Sequence, residues 1–158
     1  MRECTLSRHR VNVYRVKAQE AFTVMMREQI APALRSLGLK GSGQSYSIPS
    51  ESHWALVGFQ KSGASSAGAV KFTVNLQVQP RDAWERAYQE RSWIGAKPSP
   101  NTLAGVEGGW WSRIGQLLPD GEDRWWWIEP DRPTEPVADE VIAAIRDYAL
   151  PGMRLRMK

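Results

Sequence analysis

The sequence predicts an α+β domain: a single mainly antiparallel sheet of about five strands with helices packed on one face. Three observations carry this. Residues 70–78, VKFTVNLQV, alternate Phe72, Val74, Leu76 and Val78 with Thr73, Asn75 and Gln77, the period of a strand with one apolar and one polar face. Residues 18–37 and 134–149 each carry an apolar stripe at helical spacing. DRWWWIEP, residues 123–130, sets three tryptophans in a row between an Asp-Gly turn and a proline, which suits a strand better than a helix lying on a membrane.

Taken in order, the first helix places Phe22, Met25, Met26, Ile30, Ala33, Leu34 and Leu37 on one side. Gly38 follows where a left-handed stop is wanted, and Pro32 predicts a kink or two shorter helices. GSGQS, residues 41–45, turns into a short strand around Tyr46 and Ile48. Residues 54–61 and 70–78 form the clearest strands, joined by the flexible loop SGASSAGA. Residues 81–91 read as a helix with Trp84 and Tyr88 on its apolar side, and AKPSPNTLAGVEGG as a loop over the surface. Residues 110–118 and 124–129 read as two more strands around the turn PDGED. Thr134 caps a last helix with Val137, Val141, Ile142, Ile145 and Tyr148 on one stripe, and Pro151 is expected to stop it. The first and last helices should cover the apolar face, with the middle helix near an edge.

A chain of 158 residues fits one domain that buries roughly two thirds of its unfolded surface. Residues 1–17 are expected to be a partly disordered basic leader, residues 18–153 the domain and residues 154–158 a basic tail. Of 21 Lys/Arg and 17 Asp/Glu, the two ends hold eight basic groups and one acidic, leaving the body slightly acidic at 13 against 16. That distribution argues against a nucleic-acid-binding face on the body and allows only weak, salt-sensitive binding through the ends. Cys4 is the single cysteine, which excludes an intrachain disulfide and points to a reducing, cytoplasmic compartment. No apolar run approaches the roughly 20 residues of a membrane helix.

Catalytic motifs are sparse. His53, at the entrance of a strand, is the ordered candidate for a general base, since His9 lies in the leader. No G-x-S-x-G, H-E-x-x-H or calcium loop occurs, and GSGQS lacks the ending of a phosphate loop. Asp120, Glu122 and Asp123 are explained by turn formation without a metal, so neither metal nor cofactor is expected. What remains is a polar sheet face of Gln60, Ser62, Thr73, Asn75 and Arg113, either a hydrogen-bonding surface or a wetted face. In the tryptophan strand, Trp125 and Trp127 share one face and Trp126 the other. Trp126 beside Arg113 is the expected anchor for a protein partner, with Asn75 and Gln60 as polar contacts.

The order AFTVMMREQIAPALRSLGL, ALVGFQKSG, VKFTVNLQV, SRIGQLLPDGEDRWWWI and YALPGM resembles the bacterial domain-of-unknown-function family 4304 over about residues 18–153. FQKS, FTVNL, RIG and the aspartate-to-tryptophan stretch carry the likeness, which departs at Gln77, where the family tends to have glycine. The resemblance implies an intracellular bacterial protein with a compact sheet-and-helix fold, and supplies no reaction and no catalytic residue. By analogy with immunity proteins that neutralise a cognate toxin, the expected function is non-catalytic binding of another protein. The alternative is an enzyme or nucleic-acid-processing domain using His53 with a nearby carboxylate.

Overall fold

The computed structural model describes residues 18–66, 68–102 and 104–158; the leader with Cys4 and His9 lies outside them. The first helix, α1, runs over 18–36 without a break. It passes Pro32 through a π-turn, Met26–Ile30, closed by the Ala31 N–H donating to the Met26 carbonyl. A proline ring collides with the carbonyl four residues back, and the wider turn relieves that collision. The helix ends as expected: Gly38 has φ +94°, and the Leu39 N–H donates to the Leu34 carbonyl at 3.0 Å.

Six strands follow: β1 Lys40–Ser42, β2 Ser45–Ile48, β3 His53–Lys61, β4 Val70–Pro80, β5 Trp110–Arg113 and β6 Trp126–Ile128. They form one antiparallel sheet in the order β1-β2-β3-β4-β5, with β6 also paired to β4. One edge of β4 is occupied by β3 over the register His53↔Pro80 to Lys61↔Phe72. Its other edge is divided, Val70–Phe72 taking β6 and Asn75–Val78 taking β5. The helix α2, Arg81–Glu90, leaves β4 directly, and the last helix, α3, spans 135–156.

Three expectations are corrected here. Residues 110–118 are not one strand: β5 stops at Arg113, and Ile114–Leu117 turns as a 3-10 helix. Gly115 there lies so close to the backbone of Glu122 and Arg124 that a Cβ has no room. Pro151 does not stop α3. A second π-turn, Ile145–Ala149, closed by the Leu150 N–H on the Ile145 carbonyl, carries the helix through to Arg156. Both prolines stand two residues after such a turn, so one device serves both helices. Thr134 occupies the N-cap position without a capping bond, and its hydroxyl contacts Gln29 of α1 at 3.3 Å instead.

α1 and α3 pack with the inner face of the sheet in one core, which holds Phe22, Met25, Ile30 and Leu34 beside Val141, Ile145, Leu150 and Met153. Across the sheet beneath them runs an aromatic row. Tyr46 of β2 meets Phe59 of β3 at 6.0 Å between ring centroids, Phe59 meets Phe72 of β4 at 6.3 Å, and Phe72 stacks on Trp126 of β6 at 5.8 Å. Phe22 closes the row from above, 5.3 Å from Phe72. Such pairs add about 0.5–1.5 kcal/mol each beyond burial. Among the described residues, no helix is long and apolar enough to cross a membrane.

Tyr46 anchors the far end of this row, its hydroxyl donating to the Gly43 carbonyl at 2.9 Å. Burial holds its phenol above the ordinary 10.0, with the Arg35 charge opposing in a smaller measure. A raised folded-state pKa stabilises fully below the unfolded value and less as pH rises through the folded one. Ultraviolet absorbance should therefore show a tyrosine ionising above an ordinary phenol, and Tyr46→Phe should remove that step. The same substitution should flatten the decline of stability above about pH 10.

Candidate functional site

The outer face of the sheet is neither an open hydrogen-bonding surface nor a wetted one. Gln60, Thr73, Asn75 and Arg113 do share it, since Gln60 pairs with Thr73 and Asn75 with Arg113. Yet Thr73, Asn75, Gln77 and Gln79 are all buried. Residues 95–102 and 104–109 fold back over Asn75, Gln77 and Gln79 as a strap. Gln77 Nε2 donates to the carbonyls of Ser99 at 2.6 Å, Thr102 at 2.9 Å and Pro100 at 3.3 Å. Asn75 Nδ2 donates to Gln60 Oε1 at 2.7 Å and Asn101 Oδ1 at 3.0 Å. Thr73 Oγ1 donates to the Arg124 carbonyl at 2.6 Å.

Glycine makes the close approach possible. A Cβ on Gly58 of β3 would stand 2.6 Å from both Pro100 Cβ and Asn101 Oδ1, so any side chain there would lift the strap. The strap is tethered beyond the sheet as well: Trp84 Nε1 of α2 donates to the Gly95 carbonyl at 2.9 Å, and Arg91 Nη2 to that of Gly105 at 3.2 Å. Gln60 and Asn75 are thereby consumed by the fold. Ser62 is past the end of β3, where its N–H donates to the Lys71 carbonyl at 2.8 Å and its hydroxyl accepts the Ala64 N–H.

The anchor expected at Trp126 is corrected by register. Phe72 pairs with Trp126, which places that indole on the inner face, 5 % exposed, while Lys71 pairs with Trp127, which lies on the outer face and is 49 % exposed. Trp125 joins Trp127 there, as alternation requires. Lys71 Nζ sits 5.0 Å from the Trp125 ring centroid and 5.3 Å from that of Trp127. Arg113 approaches Trp125 to 5.0 Å and pairs with Asp123 at 2.9 Å, and Trp125 Nε1 donates to the same carboxylate at 2.8 Å. Trp127 is thus the half-exposed member of a connected group of five side chains.

Behind Trp127 opens a hollow of about 310 Å³ lined by Ile128, Pro133, Pro136 and Val137. At the other end of the outer face, Trp54 carries the Arg81 guanidinium at 3.7 Å and Lys97 Nζ at 5.5 Å. His53 is half-buried beside it, with Ser52 Oγ 2.7 Å from Nδ1. Its ring has no carboxylate among its described hydrogen-bond partners, and the described residues contain no cluster of three or more metal-ligating groups. Sequence reasoning missed Lys71 and Trp127, although their identity as one facing pair follows once β6 is placed beside β4.

The strap makes a quantitative demand on Gln77. Gln77→Ala should lower unfolding free energy by roughly 2–4 kcal/mol, because buried carbonyls lose their donor. Gln77→Met, of similar volume, should lose a comparable amount. Urea denaturation reads both; a loss under about 0.5 kcal/mol would mark Gln77 as an ordinary surface residue.

No curated protein and no solved structure matches the chain. A family model does, over residues 30–155, from the middle of α1 to the end of α3, so the matched segment includes the whole sheet, the strap and the tryptophan cluster. The chain belongs to the family described as a domain of unknown function, DUF4304.

Proposed function

We propose that this protein is a cytoplasmic, non-catalytic binding domain whose target is another protein, an inhibitor of the toxin-neutralising kind being the form we favour. The contact centres on Trp127, with Lys71, Trp125 and Arg113 around it. The observation that carries this reading is a tryptophan left 49 % exposed in a cluster that already orders its neighbours. Tryptophan and arginine dominate the energetics of protein interfaces, and a pre-ordered cluster gives up less entropy on docking. The adjoining hollow behind Trp127, whose lining also includes Glu129, Arg132 and Thr134, offers a seat for a partner side chain. The single cysteine supports the reducing compartment.

The test compares wild type with Trp127→Ala and Lys71→Glu in affinity capture, followed by titration calorimetry on the partner recovered. Trp127→Ala should cost at least about 2 kcal/mol, roughly 30-fold in Kd, with the fold intact by circular dichroism. Equal affinity of wild type and both variants would remove this face as the site. Trp126→Ala serves as the contrast: it should lower stability by roughly 3–5 kcal/mol as a core truncation.

A further inference from the structure

We propose that the hollow between α1 and the β1–β2 hairpin binds a small apolar anion, a carboxylate carried on an aliphatic chain. It lies on the helix side of the sheet, away from Trp127, and does not rest on the protein-binding reading. Its volume is about 310 Å³, at the lower end of the range for ligand sites. Phe22, Met26 and Ala31 of α1 supply an apolar floor, and Gly43 and Gln44 of the hairpin turn form the opposite wall.

The walls are built in advance. Gly43 takes φ +59° in the turn, and Gln44 is locked by its Nε2 donating to the Phe59 carbonyl at 2.9 Å. The hairpin is also tied to α1, since Arg35 Nε and Nη2 both donate to the Gly41 carbonyl, at 3.2 and 3.0 Å. A ligand would therefore enter a formed space and would not have to order a loop.

Charge selects the ligand. Among the described residues, two guanidinium groups, Arg27 and Arg35, line the hollow, and no carboxylate does. Among the described residues, the ion-pair partner of Arg27 is its chain neighbour Glu28, at 3.4 Å in an exposed pair of the kind that contributes little. Arg35 spends two of its nitrogens on a neutral carbonyl and keeps its full positive charge at the rim. Lys61, outside the lining, lies 5.5 Å from the Phe22 ring centroid. The Arg35 charge is felt at the Tyr46 phenol, next to the hairpin turn. An apolar body buried on Phe22 and Met26 with an anionic head at Arg27 and Arg35 satisfies both halves of this site; a cation or a neutral polar molecule satisfies neither.

The test uses the full chain with three probes of equal chain length below their aggregation concentrations: decanoate, decylammonium and decanol. Titration calorimetry should show saturable one-to-one binding of decanoate, at least 10-fold weaker binding of decanol and none of decylammonium. Amide chemical shifts should move at Phe22, Met26 and Gln44. Arg27→Gln and Arg35→Gln should each weaken decanoate by roughly 5- to 10-fold. Thr23→Trp, filling the hollow from an exposed helical position, should abolish binding without changing the melting temperature. Absence of saturable decanoate binding, equal binding of decanoate and decylammonium, or binding unchanged in Arg27→Gln and Thr23→Trp would each overturn the proposal.

Discussion

Four polar side chains of β4 have no access to water, and much of what is distinctive in this fold answers that constraint. A buried donor or acceptor left unpaired costs about 1–3 kcal/mol, and Thr73, Asn75, Gln77 and Gln79 follow one another at alternate positions of a single strand. The strap answers part of the demand, its carbonyls and Asn101 accepting what Gln77 and Asn75 donate, while the Arg124 carbonyl accepts from Thr73 and Gln77 Oε1 from Gln79. A loop laid over a sheet would ordinarily bury its own unpaired carbonyls. Here the donors of Asn75 and Gln77 meet acceptors of the strap, while Asn75 Oδ1 and Gln79 Oε1 stay buried without a partner among the described residues, so the strap and the polar strand depend on each other.

The inner face solves the complementary problem with bulk. The aromatic row from Tyr46 to Trp126 crosses four strands and fixes their register as a set, because a slip of one residue would turn every ring outward. β6, only three residues long, is held to β4 by the Phe72–Trp126 stack as much as by its ladder. That stack also decides which tryptophan remains for function: with Trp126 committed to the core, Trp125 and Trp127 must emerge on the other side beside Lys71. Structure and candidate site are therefore two faces of one strand pairing.

Much of this was legible in the residues. Alternation in VKFTVNLQV identified the inner face, the stripes of α1 and α3 identified what covers it, and Gly38 marked the helix end. Four features were not legible, each for a physical reason. The polar outer face was expected to be free, because an amide that bonds water and one that bonds a distant loop look alike in sequence; only Gly58 hinted that another backbone came close. Trp126 was expected to be exposed, because alternation separates it from its neighbours without saying which side meets the helices. Pro151 was expected to end α3, because a π-turn that accommodates a proline leaves no composition signal of its own. The hairpin strand β1 escaped notice inside a glycine-rich stretch of three exposed residues.

The account stands on the strap being sealed to the sheet through Gln77, and the side-chain amide protons of that residue report on it directly. Nuclear magnetic resonance should find the two Gln77 Nε2 protons with distinct shifts, exchanging with solvent far more slowly than a free amide, and showing Overhauser contacts to Ser99 and Thr102. Protons that exchange at the free rate and lack those contacts would mean that the outer face is open to water, and the logic that connects β4, the strap and Gly58 would be wrong.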